Sequence, residues 1–442
     1  MAAPSIAEST SVLLYDEGNA WTGSQVTFSF PRPGSLWPGY AADDEPSSGA
    51  YAAPTDLQVA AFRLALQAWD DVVALRLVET DDLTAAGQIR IAFTDVSART
   101  GNDEASAYAY RPPEPGVGAS NHNGDIWLDD GLKASVFTPG SLGFEVLLHE
   151  LGHALALQHP FGPGALLPEG YDNTRFTVMA YKDFEDSIAW TAEPTAEGGR
   201  FKGQYVEPST PMVFDIAAIQ ARYGADPATA AGDTIYTFDQ NTPFMRAIYD
   251  AGGSDTIDLS GHTRSSIIDL TPGAYSSIAY YSREAQEAYW TSLYPGGASV
   301  FHQTLSAADT YTWSNNLGIA YGTVIENVLG GSAADTILGN DAGNYLSGGG
   351  GNDFLRGFLG DDSIVGGEGF DDTQEGGDGV DWVRGGQGND SLSGGADDDW
   401  MSGDLGDDTL SGGSGRHLPH LGRHGNRPGH RLQPRPGRPR AA

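Results

Sequence analysis

From Gly348 onward the chain repeats itself every nine residues, and no other feature narrows its fold as much. The units read GGGGNDFLR, GFLGDDSIV and GGEGFDDTQ, then, after an inserted Glu375, GGDGVDWVR, GGQGNDSLS, GGADDDWMS and GDLGDDTLS. Each opens on a glycine-rich half and carries aspartate at its sixth position: Asp353, Asp362, Asp371, Asp381, Asp390, Asp399 and Asp408. Six of the seven have an apolar eighth residue, namely Leu355, Ile364, Val383, Leu392, Met401 and Leu410. Glycine admits positive φ and lets carbonyls turn inward, as at Gly349, Gly351, Gly367, Gly369, Gly377, Gly379, Gly386 and Gly388, while aspartate adds a hard anionic oxygen. Such units are expected to wind as a parallel β-roll whose turns bind Ca²⁺ and whose eighth residues fill a narrow core. A disordered Gly/Asp linker shares the composition but not the register. The third unit is the weakest, with Asp372 and Thr373 where strand residues belong.

Charge agrees with that reading. Residues 330–415 hold 18 Asp and Glu against two Arg, within a chain of net charge −35. So acidic a block selects cations and argues against nucleic acid as a partner. There is no cysteine, so disulfides and thiolate metal sites are excluded, and any metal sits on histidine and oxygen. No stretch reaches the ~20 apolar residues that span a bilayer, so membrane insertion is not expected. The opening MAAPSIAESTSVLLYDEG also lacks the basic start and apolar run of a secretory signal.

Residues 10–230 read as mixed α/β. SQVTFSF alternates Val26, Phe28 and Phe30, and GQIRIAF alternates Ile89, Ile91 and Phe93, as half-buried strands do. Between them Leu57, Ala60, Ala61, Leu64, Ala65, Ala68 and Trp69 recur at helical spacing behind Thr55, a candidate cap. AYAYRP (107–112) and DIWLDD (125–130) read as two more strands, and a helix follows from about Phe144.

That helix carries HELGHALALQHP, residues 149–160. His149 and His153 are one helical turn apart, so both imidazoles can share one Zn²⁺, and Glu150 can reach metal-bound water as a general base. His159 follows close enough to be a third ligand if the helix ends before it. FTVMAY then supplies Met179 and Tyr181. His122, His262 and His302 are isolated and read as ordinary surface or loop residues.

Together the motif and VMAY resemble the metzincin metallopeptidases and their Met-turn. Joined to calcium nonapeptides, to DIAAIQARYGADPATAAGDTIYTF (215–238) and to GTVIENVLGGSAADTILGN (322–340), they resemble the serralysins, secreted zinc metalloproteases of bacteria. The resemblance implies an α+β metzincin-like catalytic domain followed by an all-β roll, one catalytic Zn²⁺ and several structural Ca²⁺. It implies zinc ligation by His149, His153 and His159, with Glu150 as base and Met179 as the floor beneath the metal. Tyr181 would be a ligand that swings away to stabilise the oxyanion. Ala107, Tyr108, Ala109 and Tyr110 would form the edge strand on which a peptide lies antiparallel. Aspartates two repeats apart, such as Asp353 with Asp371 or Asp390 with Asp408, would share an ion. It further implies an endopeptidase acting on proteins or peptides, a protein inhibitor as a further partner, a monomeric state, and one-step export to the extracellular space. Ala156 departs from the pattern: that position carries glycine in a left-handed conformation, which costs alanine roughly 1–2 kcal/mol. A weakened or inactive relative serving as a calcium-dependent binding module is the alternative.

The expected division is a catalytic domain over 1–240 and a roll over 241–415 with an insertion near 270–315. The remainder, 416–442, holds seven Arg and no acid. Codons available to it can encode, one base shifted, a continuation of the repeat, so it reads as a frameshifted, disordered tail.

Overall fold

The computed structural model describes residues 4–15, 18–37, 40, 51–102, 105–114, 116, 122–161, 166–193, 200–306, 309–368, 370–415 and 418–419. Instead of one break at 240/241, the chain forms two compact units between which it passes more than once. The first comprises Met1–Thr229, Phe244–Ala251 and Ser299–Tyr311, and the second Ala230–Pro243, Gly252–Ala298 and Thr312 onward. The segment expected as an insertion contains the helices Arg283–Leu293 and Ala298–Leu305. Among the described residues no helix is long and apolar enough to cross a membrane.

The first unit is α+β. Its five-stranded sheet runs in the order Arg76–Glu79, Gln25–Ser29, Ile89–Thr94, Ile126–Asp129, Ala107–Ala109. All neighbours are parallel except the last, which pairs antiparallel with Ile126–Asp129 and forms the sheet's outer strand. Ile89–Thr94 is central, so it is buried along its whole length rather than on alternate residues. Arg90 within it is tolerated because its guanidinium grips the equally buried Asp82 at 2.7 and 2.8 Å.

The helix Asp56–Asp70 starts at Thr55, whose hydroxyl accepts from the Gln58 amide in a capping box. Its buried face is not the expected one: Leu57 and Leu64 are exposed, whereas Phe62, Ala65, Leu66 and Trp69 are buried. The Trp69 indole N–H donates to the Leu148 carbonyl at 3.2 Å, which ties this helix to Leu142–Ala154, the helix bearing the histidines.

The second unit contains the parallel β-roll. From Tyr345–Gly350 onward, six-residue strands follow one another, and each pairs with the strand next but one in sequence. Two parallel sheets result, of eight and six strands. The inward residues Leu346, Leu355, Ile364, Val383, Leu392, Met401 and Leu410 are all buried. Glycine is required at the turns. Gly367 has φ +134°, and a Cβ there would lie 2.0 Å from the Gly349 carbonyl oxygen. Gly349, Gly351, Gly377, Gly379, Gly386 and Gly388 also have positive φ, and Gly369 lies outside the described residues.

The third repeat departs from its expected alignment. Thr373, Gln374 and Glu375 pair with Phe354, Leu355 and Arg356, so the extra residue precedes Asp372 and Glu375 is an ordinary strand residue. Asp372 is therefore the buried aspartate and Asp371 an exposed neighbour. Gln374 takes the inward place that the other repeats fill with an apolar side chain.

Candidate active site

The helix Leu142–Ala154 is buried along most of its length, because its apolar residues flank the motif on several faces. One turn of helix separates His149 from His153, and both imidazoles leave the same side. The helix then stops abruptly. The amide of Leu157 donates to the Gly152 carbonyl at 2.8 Å and that of Ala156 to His153 at 3.1 Å, the bond pair of a Schellman ending. Ala156 occupies the left-handed position with φ 92°, so this structure carries the strain the sequence implies, about 1–2 kcal/mol. The turn sends the chain back and delivers His159 to the other two histidines.

The Nε2 of His159 lies 3.1 Å from Nε2 of His149 and 3.0 Å from Nε2 of His153. On the far side of each ring, Nδ1 of His149 donates to the Val178 carbonyl at 2.7 Å and Nδ1 of His153 to the Leu157 carbonyl at 2.8 Å. Those carbonyls can only accept, so they fix the tautomer and leave the Nε2 lone pairs of His149 and His153 facing each other's neighbourhood. Burial pushes His149 down to about 4 with help from His159, pushes His159 to about 4, and pushes His153 well below its usual value. Three neutral imidazoles converging in this way suit one shared cation of the zinc type.

Glu150 is buried, its Oε2 makes no hydrogen bond, and burial raises its carboxyl to about 8. Glu145, one turn earlier, and Glu207 are buried too; burial and then Glu207 and Asp183 push Glu145 well up, and burial and then Asp183 raise Glu207 to about 7. The Tyr181 ring stands 5.4 Å from that of His149 and 4.6 Å from that of His159, and is largely exposed. Burial, then Glu150 and Glu145, raise its hydroxyl.

Met179 is fully buried beneath the helix, and a Cβ on Gly152 would lie 2.4 Å from its sulfur. The glycine of HELGH is therefore what lets the Met-turn approach so closely. Of the remaining predicted residues, Ala107–Ala109 form the sheet's outer strand, and Tyr110 follows it, its amide donating to Asp125 at 2.9 Å. His122 packs on Tyr110, and His262 bonds through Nε2 to the Phe238 carbonyl at 2.8 Å; among the described residues, neither belongs to the cluster of potential metal ligands.

Asp215 is the residue that sequence reasoning overlooked. Fully buried in the first turn of the helix Val213–Tyr223, it accepts from the Thr177 hydroxyl at 2.5 Å and from the amides of Val178 and Met212, both at 2.8 Å. It thus fastens the Met-turn to this helix and sets the Val178 carbonyl that orients His149. Burial raises it to about 7 in spite of these bonds. In the sequence it stands only as the first residue of the segment 215–238 and has no assigned role.

In the roll, the buried aspartates form a ladder. Oδ1 of Asp353 accepts the Asp335 amide at 2.8 Å, Asp372 that of Asp353 at 2.8 Å, Asp390 that of Asp372 at 2.9 Å and Asp408 that of Asp390 at 3.0 Å. Asp362, Asp381 and Asp399 continue the other side, at 2.8, 3.0 and 3.1 Å. Asp353 therefore has Asp372 as its ladder neighbour in place of Asp371, whereas Asp390 and Asp408 are joined. The second oxygens of Asp353, Asp362, Asp381 and Asp390 are buried without a hydrogen bond. Carboxylate oxygens left in this state among inward carbonyls fit a hard divalent cation such as Ca²⁺.

Comparison with known proteins gives the same order of parts. Residues 47–188 match the matrixin family, 215–283 the peptidase M10 serralysin C-terminal family, and 325–355, 338–372 and 375–410 the RTX calcium-binding nonapeptide repeat. Serralysin A of Dickeya chrysanthemi is 33% identical over 293 residues, 62% of this chain and 51% of that protein. Serralysin of Photorhabdus luminescens is 34% identical over 307 residues, 64% and 52%. Serralysin of Proteus mirabilis is 30% identical over 296 residues, 59% and 56%. The chain spans about half the length of the curated relatives it matches. The chain thus carries a matrixin match, a serralysin C-terminal match and calcium-repeat matches in this order, and over part of its length it is similar to the serralysins.

Proposed function

We propose that the protein is a secreted, calcium-stabilised zinc endopeptidase that hydrolyses peptide bonds in proteins. The observation that carries this is the convergence of the three Nε2 atoms at 3.0 and 3.1 Å beside a buried, unbonded carboxylate oxygen of Glu150. His149, His153 and His159 would hold the ion, and zinc when bound supplies Lewis acidity that makes water nucleophilic near neutral pH and polarises a carbonyl. Glu150 accepts the proton of the attacking water at Oε2 and returns it to the leaving amine nitrogen. The Tyr181 hydroxyl, on an exposed ring beside the histidines, donates to the oxygen that becomes negative as the carbonyl is attacked. Ala107–Ala109, as the outer strand, binds the substrate backbone by strand addition, which gives weak dependence on substrate sequence.

The test is hydrolysis of quenched fluorescent peptides in millimolar calcium with zinc, beside Glu150→Ala. Cleavage by the parent with a kcat loss of about 10²–10⁴ in the variant is expected. Equal rates in both, or no cleavage by folded, zinc-loaded parent, would reject the reading.

A further inference from the structure

The segment that precedes the first strand lies against the end of the histidine-bearing helix and the turn after it. The Trp21 indole N–H donates to the Ala154 carbonyl, buried and 2.8 Å away. Leu14 bridges antiparallel to Leu157, and the Gln158 amide donates to the Leu13 carbonyl at 2.8 Å. The Gln158 side-chain amide then donates twice, to the Val12 carbonyl at 3.0 Å and to the Leu14 carbonyl at 2.9 Å. Leu13 and Leu157 are both fully buried. The Tyr15 hydroxyl lies 3.4 Å from Nδ1 of His153.

These bonds fall on the residues between His153 and His159, the stretch that contains the strained Ala156. Left to itself, a turn with alanine at φ 92° gains by opening, and opening withdraws both the Leu157 carbonyl from His153 and His159 from the other histidines. A tether on Leu157 and Gln158 opposes that movement. We infer that residues 12–15 together with Trp21 form a built-in clamp, with Gln158 as its positioning residue, which holds the metal-binding turn closed and offsets the strain at Ala156. The inference rests on the reading of the three histidines as a metal site and goes beyond it, since the segment acts on the turn between His153 and His159 and on the His153 ring through Tyr15.

A turn that is closed only part of the time binds metal with an affinity reduced by the closed fraction. The experiment is therefore a cobalt(II) titration of the metal-stripped, full-length protein in calcium, followed by its d–d absorption. It uses Gln158→Ala and Gln158→Glu, each with and without Ala156→Gly. Loss of two hydrogen bonds weakens cobalt binding about tenfold in the Ala156 background. Gln158→Glu keeps the size but replaces the donor by an acceptor facing two carbonyls, so it loses at least as much. With Ala156→Gly the turn closes without strain, and the same replacements cost about two- to threefold.

Unchanged affinity and spectrum in both Gln158 variants would overturn the clamp. A loss confined to Gln158→Ala would show packing instead of tethering, and equal losses with and without Ala156→Gly would break the link to strain; either outcome overturns the inference as stated. A parent that develops no cobalt band would fail at the metal site itself, a result distinct from any of these.

Discussion

In the first unit the groups that would face a cation are three imidazoles, each supplied once by a helix and the turn that ends it. In the roll they are carboxylates, supplied by the same backbone turn every 18 or 19 residues. The histidines are neutral when buried, so the site loses little by standing without its ion. Asp353, Asp362, Asp381 and Asp390 are buried acids whose second oxygens have no hydrogen bond, so their turns are costly without a proton or a cation. On the proposed function, metal in the first unit would serve chemistry, whereas in the second it would relieve buried charge and so favour folding. A repeat array also sums nearest-neighbour terms, so damage to one turn spreads only to its neighbours, whereas a unique site has no second copy to fall back on.

The largest effect that can break this contrast is calcium removal. Burial raises Asp353, Asp362 and Asp390 to about 7 and Asp372 and Asp381 to about 6, all above their unfolded value. Folded carboxyls then hold protons that unfolded ones release, so stability is present below about pH 4 and declines as pH rises through 6 to 7. In chelator, the roll should be most stable near pH 4 and melt at progressively lower temperature toward pH 8. With millimolar calcium the trend should reverse, because acid displaces the ion. Thermal melts by circular dichroism across pH 4–8, with and without chelator, measure both slopes. A chelated protein whose melting point rises with pH would refute the assignment of those carboxyls to the cation turns.

Asp215 sharpens the comparison from the other side, since it is a buried acid satisfied by donors. Asp215→Ala leaves the Thr177 hydroxyl and the amides of Val178 and Met212 without an acceptor, at a cost of about 3 kcal/mol or more. The Val178 carbonyl should shift with its amide and loosen His149, so zinc affinity falls along with stability. Asp215→Asn retains one acceptor oxygen and should lose roughly half as much. Urea denaturation and zinc competition on the same samples test both; a variant that loses stability but keeps full zinc affinity would detach Asp215 from the metal site.

The two units also differ in how openly the sequence displays them. In the roll, side-chain placement follows from a nine-residue period, and six of seven aspartates fall where counting puts them. The third repeat escapes because an extra residue can be absorbed before or after its aspartate, and only pairing of Thr373–Glu375 with Phe354–Arg356 decides which. In the first unit, helical spacing suffices to unite His149 with His153, because that contact is local. Asp215 is 37 residues from Val178 and the clamp is 144 to 146 residues from Gln158, and nothing in local pattern announces contacts at such separations. The helix Asp56–Asp70 misleads for another reason. Its alanines allow two overlapping apolar stripes, and packing chooses the one through Phe62, Leu66 and Trp69, leaving Leu57 and Leu64 in water.

Gln374 yields the smallest expected effect and tests how local the roll's energetics are. It is fully buried between Leu355 and Leu392, its strand partners, and neither its oxygen nor its nitrogen has a hydrogen bond. Burying an unsatisfied amide costs about 1–3 kcal/mol by mutational measures. Gln374→Leu removes that cost at nearly the same volume and matches the flanking residues, so it should stabilise the calcium-loaded roll by about 1–2 kcal/mol. Because each turn couples mainly to its neighbours, the gain should appear in the urea midpoint of the roll and leave peptide hydrolysis by the first unit unchanged. A destabilised roll would mean that the amide meets a polar partner, and would return the third repeat to the alignment in which Thr373 points inward.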